Sequence, residues 1–362
     1  MKILILGFGK IKYLPFASFY LDLLRKNGNE IHFIYWKRDS NPDIALPDDV
    51  ITYSLDYYQE DEVPKVTKIY GFILYRRFVK RVLKKAKFDL IVVLTSIPGV
   101  LLNDILTNQY HNRFIFDYRD HTYEAIGFYK NIIAKLVNAS LATFISSDAY
   151  RKYLPSTDKI HTTHNILMDS LKFRDVRRRA DRERDCIRIR FWGYIRHETI
   201  NKALINRLAN DKRFELHYHG REQETANNLK RYCIENNILN VFFHGEYSPT
   251  DRYEFAAETD ILHNLYDTQA SDAMGNKYYD GLVFYIPQIC NFDSYMGAKI
   301  LENGLGVACK LECENFTDEL YKFYNSIIWD EFIARCDDEL NDILAEYQAA
   351  LNMIKDLDMG NI

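Results

Sequence analysis

The chain has 362 residues, too many for one small domain, and 47% of them are hydrophobic, enough for ordinary buried cores. Its 47 Lys and Arg against 51 Asp and Glu give a net charge of −4, which argues against a general nucleic-acid binder. No stretch reaches the roughly 18 apolar residues of a membrane span, residues 90–106 being broken by Pro98, Gly99, Asn103 and Asp104, MKILILGFG is too short an apolar run for a secretory leader, and six cysteines without a CxxC pair read as reduced thiols of a cytoplasmic protein.

Short apolar runs alternate with amphipathic segments from the first residues onward. Strands are expected at Lys2–Leu6, Ile31–Tyr35, Leu90–Leu94, Phe114–Phe116 and Ala142–Ile145. These are continuous Ile, Leu, Val and Phe runs, as in strands buried on both faces of a parallel sheet. A helix is expected over Leu14–Asn27, stopping before Gly28. Between the first strand and this helix, Gly7-Phe8-Gly9-Lys10 forms a turn whose Gly9 is a candidate for close approach to a phosphate or sugar. It is not a dinucleotide fingerprint. Tyr13 and Leu14 stand where a third glycine is needed, and Tyr35–Arg38 supply no acid after the second strand.

Residues 65–87 carry nine Lys or Arg and no acid. Arg76/Lys80/Lys84 and Arg77/Arg81/Lys85 form two rows at helical spacing, while Phe72, Tyr75, Val79, Val82, Leu83 and Ala86 form an apolar side. A basic amphipathic helix can lie on an anionic membrane, each base contributing about 1 kcal/mol. A domain helix with a solvated basic face is the plainer alternative. No nucleic-acid motif accompanies it.

Residues 171–185, LKFRDVRRRADRERD, lack apolar periodicity and are expected to be a linker. A second α/β unit follows, with strands expected at Ile187–Trp192, Phe214–Tyr218, Val241–Phe243, Ile261–Leu265 and Pro287–Cys290. The tail, Asp330–Leu357, reads as one long helix, with Ile333, Cys336, Leu340, Tyr347 and Ile354 on one face. The expected domains are therefore 1–170, the linker 171–185, a second domain 186–329 and a tail 330–362. Two doubly wound units facing one another would place a site in the cleft between them, beyond the carboxyl ends of their strands.

Two constellations carry chemistry. In the first, Phe191-Trp192-Gly193-Tyr194-Ile195-Arg196 leaves a strand through Gly193 and delivers Arg196 and then Lys202. Fixed cations suit the charge that grows on a diphosphate leaving group, although a solvated helix start has the same composition. In the second, Asp272 and Asp280 bracket Gly275-Asn276-Lys277. Asp280 can accept hydrogen bonds from a ribose and Asp272 from sugar hydroxyls. The N–H groups of Gly275 and Asn276 at a helix start suit a phosphate, with Lys277 beside them. The single Asp-x-Asp, Asp356–Asp358, follows no strand, and no metal is expected.

Together, Arg196-x5-Lys202 and Asp272-x7-Asp280 resemble family-4-type retaining glycosyltransferases of the GT-B fold. That family carries G-R-x5-K-G and E-G-F-G-x4-E in its second domain. His164-Asn165 is similar to the pair that closes the family's first domain, Gly220 and Gly245 end strands where it has glycine turns, and Asp260 opens a strand as in its signature. Here both acids are Asp, two residues separate Gly193 from Arg196, and Ala203 replaces the glycine after the lysine.

The resemblance implies an α/β protein of two Rossmann-like domains with a C-terminal helix crossing back to the first. It implies hexose transfer with retention from a nucleotide-diphosphate sugar, UDP-linked, without cofactor or metal. The acceptor is a glycan, lipid-linked in bacterial capsule, O-antigen and exopolysaccharide synthesis, which suits a peripheral place at the inner face of the cell membrane. It also implies a histidine near the reacting sugar, for which His121 is the candidate, oriented by Asp120 or Glu124. The expected catalytic residues are His121, Arg196, Lys202 and Asp272. The expected nucleotide-sugar contacts are Gly9, Gly193, Arg196, Lys202, Gly275, Asn276, Lys277 and Asp280. A sugar-nucleotide epimerase and a non-catalytic nucleotide-sugar-binding or membrane-docking subunit are the alternatives.

Overall fold

The computed structural model describes residues 1–59, 63–121, 123–177, 186–248, 250–267 and 271–360. The chain divides into two compact units, one of Met1–Asn165 with Ala345–Ile362, the other of Ile166–Leu344.

In chain order, unit 1 is built from β1 (Lys2–Leu6), α1 (Ala17–Lys26), β2 (Glu30–Trp36), β3 (Ile51–Leu55), α2 (Lys65–Lys85), β4 (Leu90–Leu94), α3 (Ser96–Leu101), α4 (Asn103–Gln109), β5 (Phe114–Tyr118), α5 (Gly127–Ala139), β6 (Ala142–Ile145) and β7 (Ile160–Thr162). The seven strands are all parallel, in the order β3-β2-β1-β4-β5-β6-β7. The central strands β1 and β4 are the most apolar runs in the chain, and their side chains are buried on both faces of the sheet. The edge strands β3 and β7 were outside the expected set. They are short or half-exposed and carry no continuous apolar run. Helix α1 starts three residues later than expected because a 3-10 turn at Ile11–Tyr13 and then Pro15 precede it. Gly28 at φ +74 ends the α1 segment.

Unit 2 follows with β8 (Ile187–Trp192), α6 (Glu198–Leu208), β9 (Phe214–His219), α7 (Glu224–Glu235), β10 (Val241–Phe243), α8 (Arg252–Ala257), β11 (Ile261–Asn264), α9 (Asn276–Val283), β12 (Gln288–Asn291), α10 (Tyr295–Glu302), β13 (Gly306–Cys309) and α11 (Phe316–Asn325). Its six strands are again parallel, in the order β10-β9-β8-β11-β12-β13. Both sheets have the doubly wound order in which the first strand of the unit lies near the centre.

The expected linker is only partly a linker. A 3-10 turn spans Met168–Arg177 and belongs to unit 2. There Phe173 stacks on Tyr253 with centroids 3.7 Å apart, and Arg174 donates to the Tyr285 hydroxyl at 2.7 Å and pairs with Asp337. Residues 178–185 lie outside the described residues. The tail forms one helix, α12 (Trp329–Gly360). It begins in unit 2, where Phe332, Cys336 and Leu340 are buried, and ends in unit 1, where Tyr347 packs edge-on against Phe19 of α1. The helix thus runs from the second unit into the first, at a boundary later than residue 330.

The six cysteines are free. Among the described residues no group of three or more His, Cys, Asp or Glu could hold a metal ion, and no helix is long and apolar enough to cross a membrane.

Candidate functional site

At the carboxyl edge of the unit 2 sheet, β8, β9 and β10 each run out into a glycine with positive φ: Gly193 at +132, Gly220 at +151 and Gly245 at +79. Gly193 donates its N–H to the His219 carbonyl at 2.9 Å and Gly220 to the Gly245 carbonyl at 2.7 Å. A Cβ on Gly220 would stand 1.5 Å from the Gly193 carbonyl oxygen. Only a residue without a side chain lets these backbones approach so closely. The result is a floor of bare backbone where open α/β sheets bind their ligands.

Helix α9 brings the second constellation to this edge. Gly275 is its N-cap, and a Cβ there would lie 2.9 Å from the Tyr266 hydroxyl, so the glycine admits Tyr266. Lys277, in the first turn, is 7% exposed. Its ammonium lies 4.1 Å from the centre of the Phe191 ring and 5.1 Å from that of Tyr266. Two aromatic faces attract a cation but do not neutralise it, and Lys277 has no acidic partner among the described residues. Asp280, one turn on, is 4% exposed. Its Oδ2 accepts the indole N–H of Trp192 at 2.8 Å, and its Oδ1 lies 4.0 Å from an Arg252 nitrogen. Asn276 and Asp272 are half-buried at the start of the helix and in the turn before it.

The Arg196 loop is fixed by a residue outside the expected set. Asn201, 2% exposed, donates its amide to the carbonyls of Arg196 at 2.7 Å and His197 at 2.9 Å. Its Oδ1 accepts from the Tyr218 hydroxyl at 2.8 Å and the His263 ring at 2.9 Å. This clamp holds His197 at φ +66, a left-handed conformation that costs a non-glycine residue roughly 1–2 kcal/mol. Arg196 is exposed with no ion pair among the described residues. The neighbouring Lys202 points elsewhere. It is exposed, and its ammonium sits 4.1 Å from the centre of the Tyr232 ring on α7. The structure therefore gathers Gly193, Arg196, Gly275, Asn276, Lys277 and Asp280 around one sheet edge and sends Lys202 to the helical layer.

A signal for this was present in the chain. Asn201 is in helical phase with the buried Leu204, Ile205 and Leu208, and Lys202 is one step out of phase. Burial also holds the His197 imidazole down to about pKa 4, with Arg196 and Lys277 adding to the effect and Asp267 opposing it.

The unit 1 candidates stand at the carboxyl edge of their own sheet. Gly9 is buried, and a Cβ there would meet nothing. The amides that follow it are already engaged, since Ile11 and Lys12 donate to the Asp43 carboxylate at 3.0 and 2.9 Å. Lys10 is enclosed, with its ammonium on Asp39 and the Asn41 carbonyl. His121 stacks on Tyr153 with centroids 4.1 Å apart, its Nε2 3.8 Å from Glu124. Glu124 itself accepts from the Tyr118 hydroxyl at 2.8 Å. A groove of about 610 Å3 in unit 1, lined by Asp148, Arg151, His161 and Glu346 among others, contains none of the expected site residues. Its Arg151, Asp148 and Thr162 satisfy one another.

No protein-family model matches the chain, and no curated protein matches it. Solved structures do. Sucrose-phosphate synthase from Thermosynechococcus elongatus is similar over 99% of this chain and 98% of its own, with a TM-score of 0.72 at 12% identity. Anabaena Alr3699/HepE in complex with UDP and glucose covers 98% and 99%, with a TM-score of 0.68 at 12% identity. WaaG, a glycosyltransferase involved in lipopolysaccharide biosynthesis, covers the same shares with a TM-score of 0.65 at 12% identity. At this identity the likeness is one of fold, and the chain has the GT-B fold of two Rossmann-like units with a C-terminal helix that returns to the first.

Proposed function

We propose that the chain is a glycosyltransferase that moves a hexose, with retention, from a nucleotide-diphosphate donor to a glycan acceptor. The observation that carries this reading is Lys277, a nearly buried ammonium with aromatic faces and no acidic partner among the described residues, set in the first turn of α9 beside a floor of glycine backbone. A cation so placed lacks an anion, and the start of a helix attracts one. The diphosphate would lie on Lys277, Arg196 and the amides of Gly275 and Asn276, with the ribose toward Asp280 and the donor sugar toward Asp272. When the glycosidic C–O bond breaks, its electron pair stays on the β-phosphate oxygen, and these fixed donors stabilise the new charge. The acceptor hydroxyl attacks from the same face and its proton passes to that phosphate oxygen. His121 would contact the transferred sugar or the acceptor. The choice of UDP draws on the family resemblance and on the UDP present in the HepE complex.

An anionic membrane carrying a lipid-linked acceptor is the proposed second partner. In support, α2 exposes Arg77, Arg81, Lys84 and Lys85 together with Ile69, Tyr70 and Ile73. The test of the central reading is release of nucleoside diphosphate from a panel of UDP-, GDP- and ADP-hexoses. Release is expected with one donor and should drop in Arg196→Ala. An epimerised sugar as the only product, or no release with any donor, overturns it.

A further inference from the structure

His197 was not among the residues expected to act, yet it sits in a strained backbone conformation at the donor edge. Its backbone is held left-handed at φ +66, between the Arg196 loop and the start of α6. Its ring meets Tyr266 edge-on with centroids 5.4 Å apart, and Lys277 lies over the same Tyr266 ring at 5.1 Å. Its Nδ1 is 3.4 Å from Asp267 Oδ2, whereas its Nε2 is enclosed with no hydrogen-bond partner among the described residues. The carboxylate at Nδ1 places the proton of the neutral ring there, which leaves an unpaired acceptor at Nε2.

A buried acceptor without a donor calls for an explanation. The charged and titratable groups facing it are Arg196 on its own loop, Asp267 after β11, Lys277 on α9 and His263 on β11. His263 donates to Asn201 and accepts from the Leu265 N–H at 3.0 Å, so its tautomer is already fixed on both sides. Arg196 and Lys277 oppose a further positive charge on His197.

We propose that His197 is a positioning residue of the donor site that takes up a proton at Nε2 when a diphosphate settles on Arg196 and Lys277, and so becomes the third cation of that site. The proton comes from hydronium or a buffer acid in solution, whose bond to it breaks as the Nε2–H bond forms. The physical reason is sign. The unliganded surroundings carry two positive charges against Asp267, and burial adds to them in keeping the imidazole neutral. A diphosphate reverses the net charge of those surroundings, and protonation then becomes favourable. The nucleoside diphosphate product, with its terminal phosphate no longer esterified, carries one more ionisable oxygen than the donor. The coupling therefore favours the state reached after the glycosidic bond has broken.

This inference rests on the donor-site reading above. The test titrates UDP, GDP and ADP into the full chain and into His197→Asn at about pH 6, in buffers of different ionisation enthalpy. Asn is chosen because it tolerates the left-handed backbone. The wild type is expected to take up to about one proton more than the variant, and its affinity to rise by up to about tenfold per pH unit of acidification relative to the variant. Binding by both proteins with equal proton uptake overturns the role of His197 alone. Absence of binding by the wild type to all three nucleotides overturns the donor-site reading with it. Should the variant fail to fold, the ring-nitrogen shifts of His197 in the wild type, recorded with and without nucleotide, decide the matter. A ring that stays neutral on binding overturns the inference.

Discussion

Trp192, the last residue of β8, donates its indole N–H to Asp280 of α9 at 2.8 Å and so ties the sheet edge to the helix that carries Lys277. The bond is almost wholly enclosed, with Asp280 4% and Trp192 3% exposed. It fixes which oxygen of the carboxylate is spoken for and leaves the other beside Arg252. Trp192→Phe removes the donor and trims the indole to a phenyl ring, so any cavity left behind adds to the loss. The expected cost is roughly 1–3 kcal/mol, the penalty for a buried acceptor left without its partner. Urea denaturation of the variant checks this, and an unchanged midpoint would show that the bond does not brace α9.

The glycine floor makes a second prediction through contrast. Gly220→Ala drives a Cβ into the Gly193 carbonyl, so the backbones of β8 and β9 must separate. Gly245→Ala meets nothing within 4 Å and adds only the strain of its φ of +79, roughly 1–2 kcal/mol. The first variant should lose cooperative unfolding of unit 2 or fail to accumulate as folded protein, while the second should shift the urea midpoint modestly. Equal effects would mean that the strand ends are looser than described.

Acid should destabilise unit 2 before it reaches the carboxylates. Burial is the leading cause that holds His217 down to about pKa 4 and His219 and His263 to about 3, and it lowers His244 as well. His217, His244 and His219 stack face to face, with Arg190 close enough to disfavour further positive charge on all three. The unfolded rings protonate near 6.5. Below that value the unfolded state binds more protons than the folded one, so stability is complete above about pH 6.5 and falls progressively toward the folded pKa values. His219 lies between His244 and Phe255, 4.2 Å from each ring centre, and its Nε2 has no partner among the described residues. His219→Phe is therefore expected to preserve the stack and flatten the loss of Tm between about pH 7 and 5. A variant as acid-sensitive as the wild type would count against this.

The basic helix yields a prediction corrected by its neighbours. Arg76 pairs with Asp104 at 2.7 Å and donates to the Leu101 carbonyl, and Lys80 is 3.7 Å from the same carboxylate. Neutralising Arg76 should act on stability. Neutralising Arg77, Arg81 and Lys84, which lie outside that pairing, should reduce co-sedimentation with anionic liposomes and leave the midpoint of unfolding nearly unchanged. Sedimentation that is insensitive to the triple substitution removes the membrane from the account.

Central strands such as β1 and β4 were legible in the sequence because burial on both faces forces an unbroken apolar run. The edge strands β3, β7 and β13 were not, since their runs are short, mixed or made of small residues, whereas the edge strand β10, Val-Phe-Phe, was. Spacing found α9 and the Arg196 loop, because helix starts and glycine exits are local properties. It did not find Asn201, whose meaning depends on Tyr218 and His263 from two other strands. It also chose Lys202 over its neighbour, although a rotation of one residue along α6 decides which side chain faces the sheet.

That rotation supplies the most direct test. Lys277→Met keeps the apolar stem against Phe191 and removes the charge, whereas Lys202→Met changes a cation that lies over Tyr232. Calorimetric titration of the nucleoside diphosphate preferred by the wild type should show affinity weakened at least about tenfold, or 1.4 kcal/mol, in Lys277→Met, and changed less than about twofold in Lys202→Met. Equal affinities in the two variants, or the larger loss in Lys202→Met, would contradict the placement of the donor site at α9.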